Sequence, residues 1–304
     1  MKYTWIKKGL IFKPSKNSKQ LKTHAALPIA DNLKNNHFKI YFSARNSNNI
    51  ASIFYLNWDI SKPKQVSKIS SKPILSSGKL GSFDEFGVMA HSILENNGLK
   101  YLYYTGWSRS SNTPFRWAIG LAISKDGGKS FQKFSEGPIL DRNVIDPYFV
   151  ASPTVIKEKK LWKMWYVSGL GWQIRKGKIF SPYHIRYAES KDGINWERNG
   201  IVSINFKNKS ETRIGRASIQ KNKGKYLMWY SYASKSYRIG FAESNDGIKW
   251  RRKDNCVGIS TSEKGWDSQM IEYPYVFLHN GTTYMLYNGN NYGKTGFGLA
   301  VLKP

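Results

Sequence analysis

Cysteine is nearly absent: Cys256 is the only one in 304 residues. That excludes a disulfide scaffold, a cysteine-ligated zinc site and an iron–sulfur cluster. Long apolar runs are missing too. None approaches the roughly 18 residues of a spanning helix, and the amino-terminal MKYTWIKKGLIFKPSK carries charge without an apolar stretch of leader length. Acidic residues are scarce, with 20 Asp+Glu against 48 Lys+Arg and a formal net charge of +28. Lys outnumbers Arg threefold and is scattered along the chain, with no basic block, no aromatic-basic RNA motif and no zinc-finger spacing. The charge therefore reads as a solvated surface with weak attraction for polyanions, not as a specific nucleic-acid site. The histidines lack HExxH-like spacing, so neither a metal nor a cofactor is expected. These features fit a cytoplasmic protein with no transmembrane segment.

What is present is an internal repeat. IGLAISKDGGKSF (119–131), IRYAESKDGINW (185–196) and IGFAESNDGIKW (239–250) each alternate apolar and polar residues, then turn at Asp-Gly before an aromatic residue. This is a strand, a tight turn that needs Gly at positive φ, and a returning strand. Aromatic alternating strands stand upstream, at 99–107, 161–169 and 224–233, with two further copies at 38–45 and 282–290. A short strand precedes each, aligning at Pro28, Ala90, Pro153, Ala217 and Pro274. Five units of about 60 residues, each of four antiparallel strands without helical patterning, describe an all-β five-bladed β-propeller forming one domain over 1–304. The last unit stops after its third strand. Trp5-Ile-Lys-Lys-Gly9 mimics Trp196-Glu-Arg-Asn-Gly200, the fourth strand of the third unit, so the amino-terminal strand should close the ring.

Strand order sorts the motifs by face. The Asp-Gly turns, with Asp126, Asp192 and Asp246, fall on one side, where a carboxylate bonding turn amides is structural. Starts of first and third strands and ends of second strands gather on the other. They bring His24, Asp84, Glu85, Asp146, Ser152, Arg216 and Glu272; Arg45, Trp107, Trp172, Asn288 and Asn290; and Arg116, His184 and Arg238. Aromatic faces stack on sugar rings while forked polar groups fix hydroxyls, so this set suits a carbohydrate or sugar-nucleotide ligand. Trp162, Trp165, Trp196, Trp229 and Trp250 lie inside alternating strands and read as core.

The repeat and the Ser-x-Asp-Gly turns resemble the five-bladed propeller superfamily of arabinanases, invertases, levansucrases and mannoside phosphorylases, over nearly all of the chain. That resemblance implies glycosidic-bond chemistry by a carboxylate triad: an Asp base or nucleophile, an Asp that tunes pKa, and a Glu acid in Glu-x-Pro. Glu272-Tyr-Pro274 matches the acid motif in form, and Ile-Asp146-Pro147 is similar to the Arg-Asp-Pro motif without its Arg. The first unit has His24-Ala-Ala-Leu-Pro28 where an Asp-Pro is expected, so the triad is incomplete. Glu272 is the candidate acid and Asp84 or Glu85 the candidate base or nucleophile, in a carbohydrate-active enzyme of glycan biosynthesis or processing. A glycan-binding propeller without turnover is the alternative. Asp146 recurs in register with Asp267, each seven residues before the aligning Pro, and Asp84 with Glu211, each six before; for Asp146 this favours a structural role. Arg45, Arg116, Arg216 and Arg238 on one face suggest an anionic ligand, because planar forks grip carboxylate or phosphate bidentately.

Overall fold

The computed structural model describes residues 2–15 and 17–304. Strand β1 (Trp5–Phe12) precedes five antiparallel meanders. The first contains β2 (Thr23–Lys34), β3 (His37–Arg45), β4 (Ala51–Asp59) and β5 (Val66–Ile69). The second contains β6 (Gly87–Asn96), β7 (Leu99–Ser108), β8 (Arg116–Ser124) and β9 (Gln132–Lys133). In the third, β10 (Val150–Glu158) and β11 (Leu161–Gly169) are followed by an inserted hairpin of β12 (Gln173–Arg175) and β13 (Lys178–Phe180), then β14 (Tyr183–Ser190) and β15 (Val202–Ile204). The fourth contains β16 (Arg213–Asn222), β17 (Lys225–Ala233), β18 (Tyr237–Ser244) and β19 (Arg251–Arg252). In the fifth, β20 (Glu272–His279), β21 (Thr282–Asn288) and β22 (Phe297–Leu302) are joined by β1, with Trp5 opposite Leu302 and Phe12 opposite Phe297. The architecture is all-β and propeller-like.

The core lies in layers between adjacent meanders, which explains why the middle strands are aromatic on both faces. On β11, Trp162, Met164 and Tyr166 pack with Tyr103 of the second meander, while Trp165 packs with Tyr226 and Met228 of the fourth. Phe38 and Phe42 meet Phe277, Leu286 and Phe297, so the first meander packs on the fifth. The innermost strands touch in cyclic order: β2, β6, β10, β16, β20 and back to β2.

The turns after β8, β14 and β18 are each held by their own carboxylate. Asp126 Oδ1 accepts from the amides of Lys129 and Ser130, Asp192 Oδ1 from Ile194 and Asn195, and Asp246 Oδ1 from Ile248 and Lys249. Hydrogen bonds to the charged form favour it over the burial that opposes it, so all three carboxyls titrate below the usual range.

Register shifts interrupt every innermost strand near its start. At four of them a non-glycine residue takes left-handed backbone: Leu27, Ser152, Arg216 and Tyr273, with φ between 51° and 59°. Such residues persist only where surrounding contacts over-determine them. Here the amides of Leu27, Ser152 and Tyr273 donate to Asn288 Oδ1, Thr105 Oγ1 and Ser231 Oγ, at 2.8, 2.9 and 2.7 Å, each on the second strand of the preceding meander. Ala90 donates likewise to Ser43 Oγ at 3.0 Å. The bulges thus clip neighbours together and aim their side chains at the centre.

Candidate functional site

A central cavity of about 330 Å³ opens where these bulges converge. Its walls are aromatic. Phe115 stacks on Trp117 with ring centroids 3.8 Å apart, Trp172 stands across Phe115 at 5.0 Å, and Trp107 lies under the Arg45 guanidinium at 4.8 Å. Tyr183, Tyr237, Tyr273 and Tyr292 also line it, the Tyr183 and Tyr237 hydroxyls hydrogen-bonded to each other.

Three arginines line this cavity, and none has a carboxylate partner among the described residues. Arg45 donates to Asn49 Oδ1 at 3.1 Å, and burial lowers its pKa. Arg216, fully buried, donates to the carbonyls of His91 and Pro28, and burial pushes it down to about 10. Arg213 reaches the Tyr292 hydroxyl at 3.4 Å and stacks over Tyr237 and Phe180. Their Nε atoms on Arg213 and Arg216, together with His91 Nε2 and the indole nitrogens of Trp107 and Trp117, are buried polar atoms without a hydrogen-bond partner. Buried polar groups are normally paired. The cavity wall thus presents unpaired polar atoms and cationic side chains.

Glu272 sits directly behind the wall. It is fully buried, and neither carboxylate oxygen has a hydrogen-bond partner; the Tyr292 amide approaches without reaching good hydrogen-bond geometry. Burial raises its pKa well above 4.5, outweighing the nearby Arg213 charge and the Tyr292 amide. Its charge is felt by Tyr183 and Tyr273, both lining the cavity.

The other candidate carboxylates are elsewhere. Asp84 is buried against Lys133 at 2.5 Å, a contact electrostatic in character rather than a well-aligned hydrogen bond, and accepts from Tyr104 at 3.0 Å. Asp146 takes Arg186 at 3.0 Å, Arg198 at 2.9 Å and Tyr166 at 2.9 Å. Asp267 repeats the pattern with Tyr287 and with Lys7 of β1. In all three an acid from the loop before the first strand meets a tyrosine of the second strand, 20 residues on, and a basic group near the outer edge. Neither Asp84, a candidate base or nucleophile, nor Asp146 lines the cavity, and both carboxylates are tied within their own meanders. Glu85 caps the Gly81 amide at 2.7 Å and lines a separate cleft of about 220 Å³ with Arg116. Breaking a buried pair from one side leaves an uncompensated charge. Asp146→Ala is expected to cost about 3–5 kcal/mol of stability, measured by urea unfolding, without altering ligand affinity in the fraction that folds.

Of the expected ligand-binding residues, Arg45, Trp107, Ser152, Trp172 and Arg216 line the cavity. Six do not. His24 contacts Thr23 and His184 contacts Asn205 and Arg186; burial lowers both to about 4, so both are neutral at pH 7. Arg116 is exposed in the separate cleft, and Arg238 binds Ser236, Tyr237 and Gln269. Asn288 secures Leu27, Ala25 and Gly296, and Asn290 holds the Gln269 and Met270 amides. Sequence reasoning passed over Arg213, His91, Trp117, Tyr183, Tyr237, Tyr273 and Tyr292. Three of these, Trp117, Tyr183 and Tyr237, occupy equivalent third-strand positions, each one residue from a candidate that was chosen.

No protein-family model matches the chain. It is 40% identical over 299 residues to the uncharacterized proteins MT1551 and Rv1502 of two Mycobacterium tuberculosis strains, covering 98% of this chain and 99% of each of theirs. It is 25% identical over 167 residues to the 1,2-β-oligomannan phosphorylase of a Thermoanaerobacter species, 54% of this chain and 52% of that protein. Among solved structures, a glycoside hydrolase superposes with a TM-score of 0.76 at 19% identity, over 100% of this chain and 92% of that one. The fold is that of the propeller glycosidases.

Proposed function

Because the chain belongs to the family of the Mycobacterium tuberculosis proteins MT1551 and Rv1502, and carries a glycosidase fold, we propose that it is a carbohydrate-active enzyme whose second reactant is an anion. The five meanders form one domain of five blades over residues 1–304, closed by β1 on β22 and by Asn288 on Leu27. The reading rests on one observation: Arg45, Arg213 and Arg216 face an aromatic cavity and, among the described residues, have no carboxylate in salt-bridge contact. A sugar ring stacks on Trp107, Trp117 or Trp172, and the arginine forks hold phosphate or a sugar's acidic group beside it. Glu272, whose proton burial favours, is the acid that protonates the leaving oxygen. With one acid and an arginine clamp, phosphate attacks the anomeric carbon while the glycosidic oxygen takes the proton. The phosphorylase among the relatives supports this form of the reaction.

The test is incubation with a panel of oligosaccharides, β-mannosides included, with and without inorganic phosphate. Phosphate-dependent release of a sugar 1-phosphate is the expected result; equal turnover in its absence would overturn the phosphorolytic reading. Arg45→Lys or Arg216→Lys keeps the charge and loses the planar fork, so phosphate affinity by calorimetry should fall by about 1–3 kcal/mol. A second reading, a binding propeller without turnover, draws on the absence of any Asp or Glu among the residues lining the cavity. It predicts that Glu272→Gln leaves glycan affinity unchanged and that no bound sugar is converted.

A further inference from the structure

The side of the protein that bears the cavity also carries its most exposed aliphatic side chains. Leu80 is 97% exposed, Val144 96% and Ile174 77%. Leu80 lies in the loop from β5 to β6, Val144 in the loop from β9 to β10, and Ile174 on the inserted β12–β13 hairpin. All three segments leave the meanders at the end where innermost strands begin and second strands finish, which is the cavity end. Residues flanking them adjoin one another. Gly81 and Arg142 line one cleft, which shares Trp117 with the cavity. Tyr148, itself 41% exposed, packs over Gly171 at the foot of the hairpin, where an added Cβ would meet its ring at 3.7 Å.

Exposed Leu80 and Val144 in their loops and Ile174 on the hairpin have no role in the core, and water disfavours apolar side chains held out on one side. Each tip has a basic neighbour: Lys79 beside Leu80, Arg142 two residues before Val144, and Arg175 after Ile174, with Lys176 and Lys178 completing the hairpin. Lys79 is tied to Glu136, but no salt bridge holds Arg142, Arg175, Lys176 or Lys178 among the described residues. Aliphatic tips among free cations, on a chain of net charge +28, match a surface that is negative at its head groups and apolar just beneath.

We propose that Leu80, Val144 and Ile174, with the cations of the β12–β13 hairpin, dock the cavity side of this protein on an anionic lipid bilayer. The shallow tips enter the head-group boundary while the cations meet lipid phosphates. This surface is independent of the reaction assigned to the cavity.

Co-sedimentation with vesicles of phosphatidylglycerol and phosphatidylcholine, and with phosphatidylcholine alone, tests it. The wild-type chain should pellet with the anionic vesicles and retain part of that binding at about 0.5 M salt, where surface attraction is largely screened. The triple variant Leu80→Ser, Val144→Ser, Ile174→Ser keeps every charge and should partition at least tenfold more weakly, with an unchanged melting temperature. Leu33→Ser, on the far side, should bind as wild type does. Equal pelleting of the triple variant would reduce the effect to general charge attraction and overturn the proposal. So would failure of the wild type to pellet, full competition by soluble dextran sulfate at high salt, or a concentration-dependent dimer that the triple variant abolishes.

Discussion

Glu272→Gln is expected to lower turnover by about 10²–10⁴-fold while raising the melting temperature at neutral pH. The two effects have one cause. An unfolded glutamate ionises near 4.5, whereas in the folded chain burial holds the proton far above that. Between the two values the native state binds more protons than the unfolded state, so stability falls as pH rises through this window and levels off above the folded pKa. Gln mimics the protonated carboxyl and cannot ionise, so the variant should show a flatter dependence of stability on pH. The same substitution removes the carboxylic acid behind the cavity wall, whose proton burial favours. Kinetics on the active sugar, with thermal melts from pH 5 to about 8, check both halves. Wild-type turnover in the variant would remove Glu272 from the reaction; unchanged melting at all pH values would contradict its buried, protonated state.

Deletion of residues 1–12 should be the most damaging change to the fold. It removes β1, whose Trp5 and Ile11 are buried in two different core layers. Fully burying side chains of this kind is worth about 1.5–3 kcal/mol each. Lys7, at 2.7 Å from Asp267, goes with the strand and leaves that buried carboxylate without its cation; Tyr3, whose ring meets Phe241 edge-on at 4.9 Å, goes too. The β22 edge, Phe297–Leu302, would then present unpaired backbone groups to other chains. The expected result is a fall in stability of several kcal/mol with aggregation during expression, read by urea unfolding and light scattering. A soluble truncated chain with wild-type melting would show that β1 contributes little to holding the fifth meander. Substituting Lys7 alone, by Met, should cost only part of this, since the strand and its core residues remain.

Much of the architecture was legible in the sequence because its determinants are local. Alternation on the aromatic strands, Asp-Gly turns closed by their own carboxylates, and the unit length of about 60 residues each act within a few neighbours. The site was legible only in part, and its errors have two physical sources. Side chains alternate across a strand, so a choice displaced by one residue lands on the wrong face. Arg116, His184 and Arg238 were favoured for their polarity, yet Trp117, Tyr183 and Tyr237 beside them line the cavity. The first-strand bulges reset that alternation at Ser152, Arg216 and Tyr273, and a bulge has no one-letter signature. The second source is pairing. Asp84 and Asp146 carry the residue types of catalysis, and the recurrence of Asp146 with Asp267 already hinted at a tie. Only folding determines that Lys133 and the pair Arg186 and Arg198 meet those acids and neutralise them, while Arg45, Arg213 and Arg216 meet none. Strand pattern and turn chemistry are short-range and were written in the chain itself; which charges remain unpaired is a long-range outcome, decided where strands far apart in sequence come together.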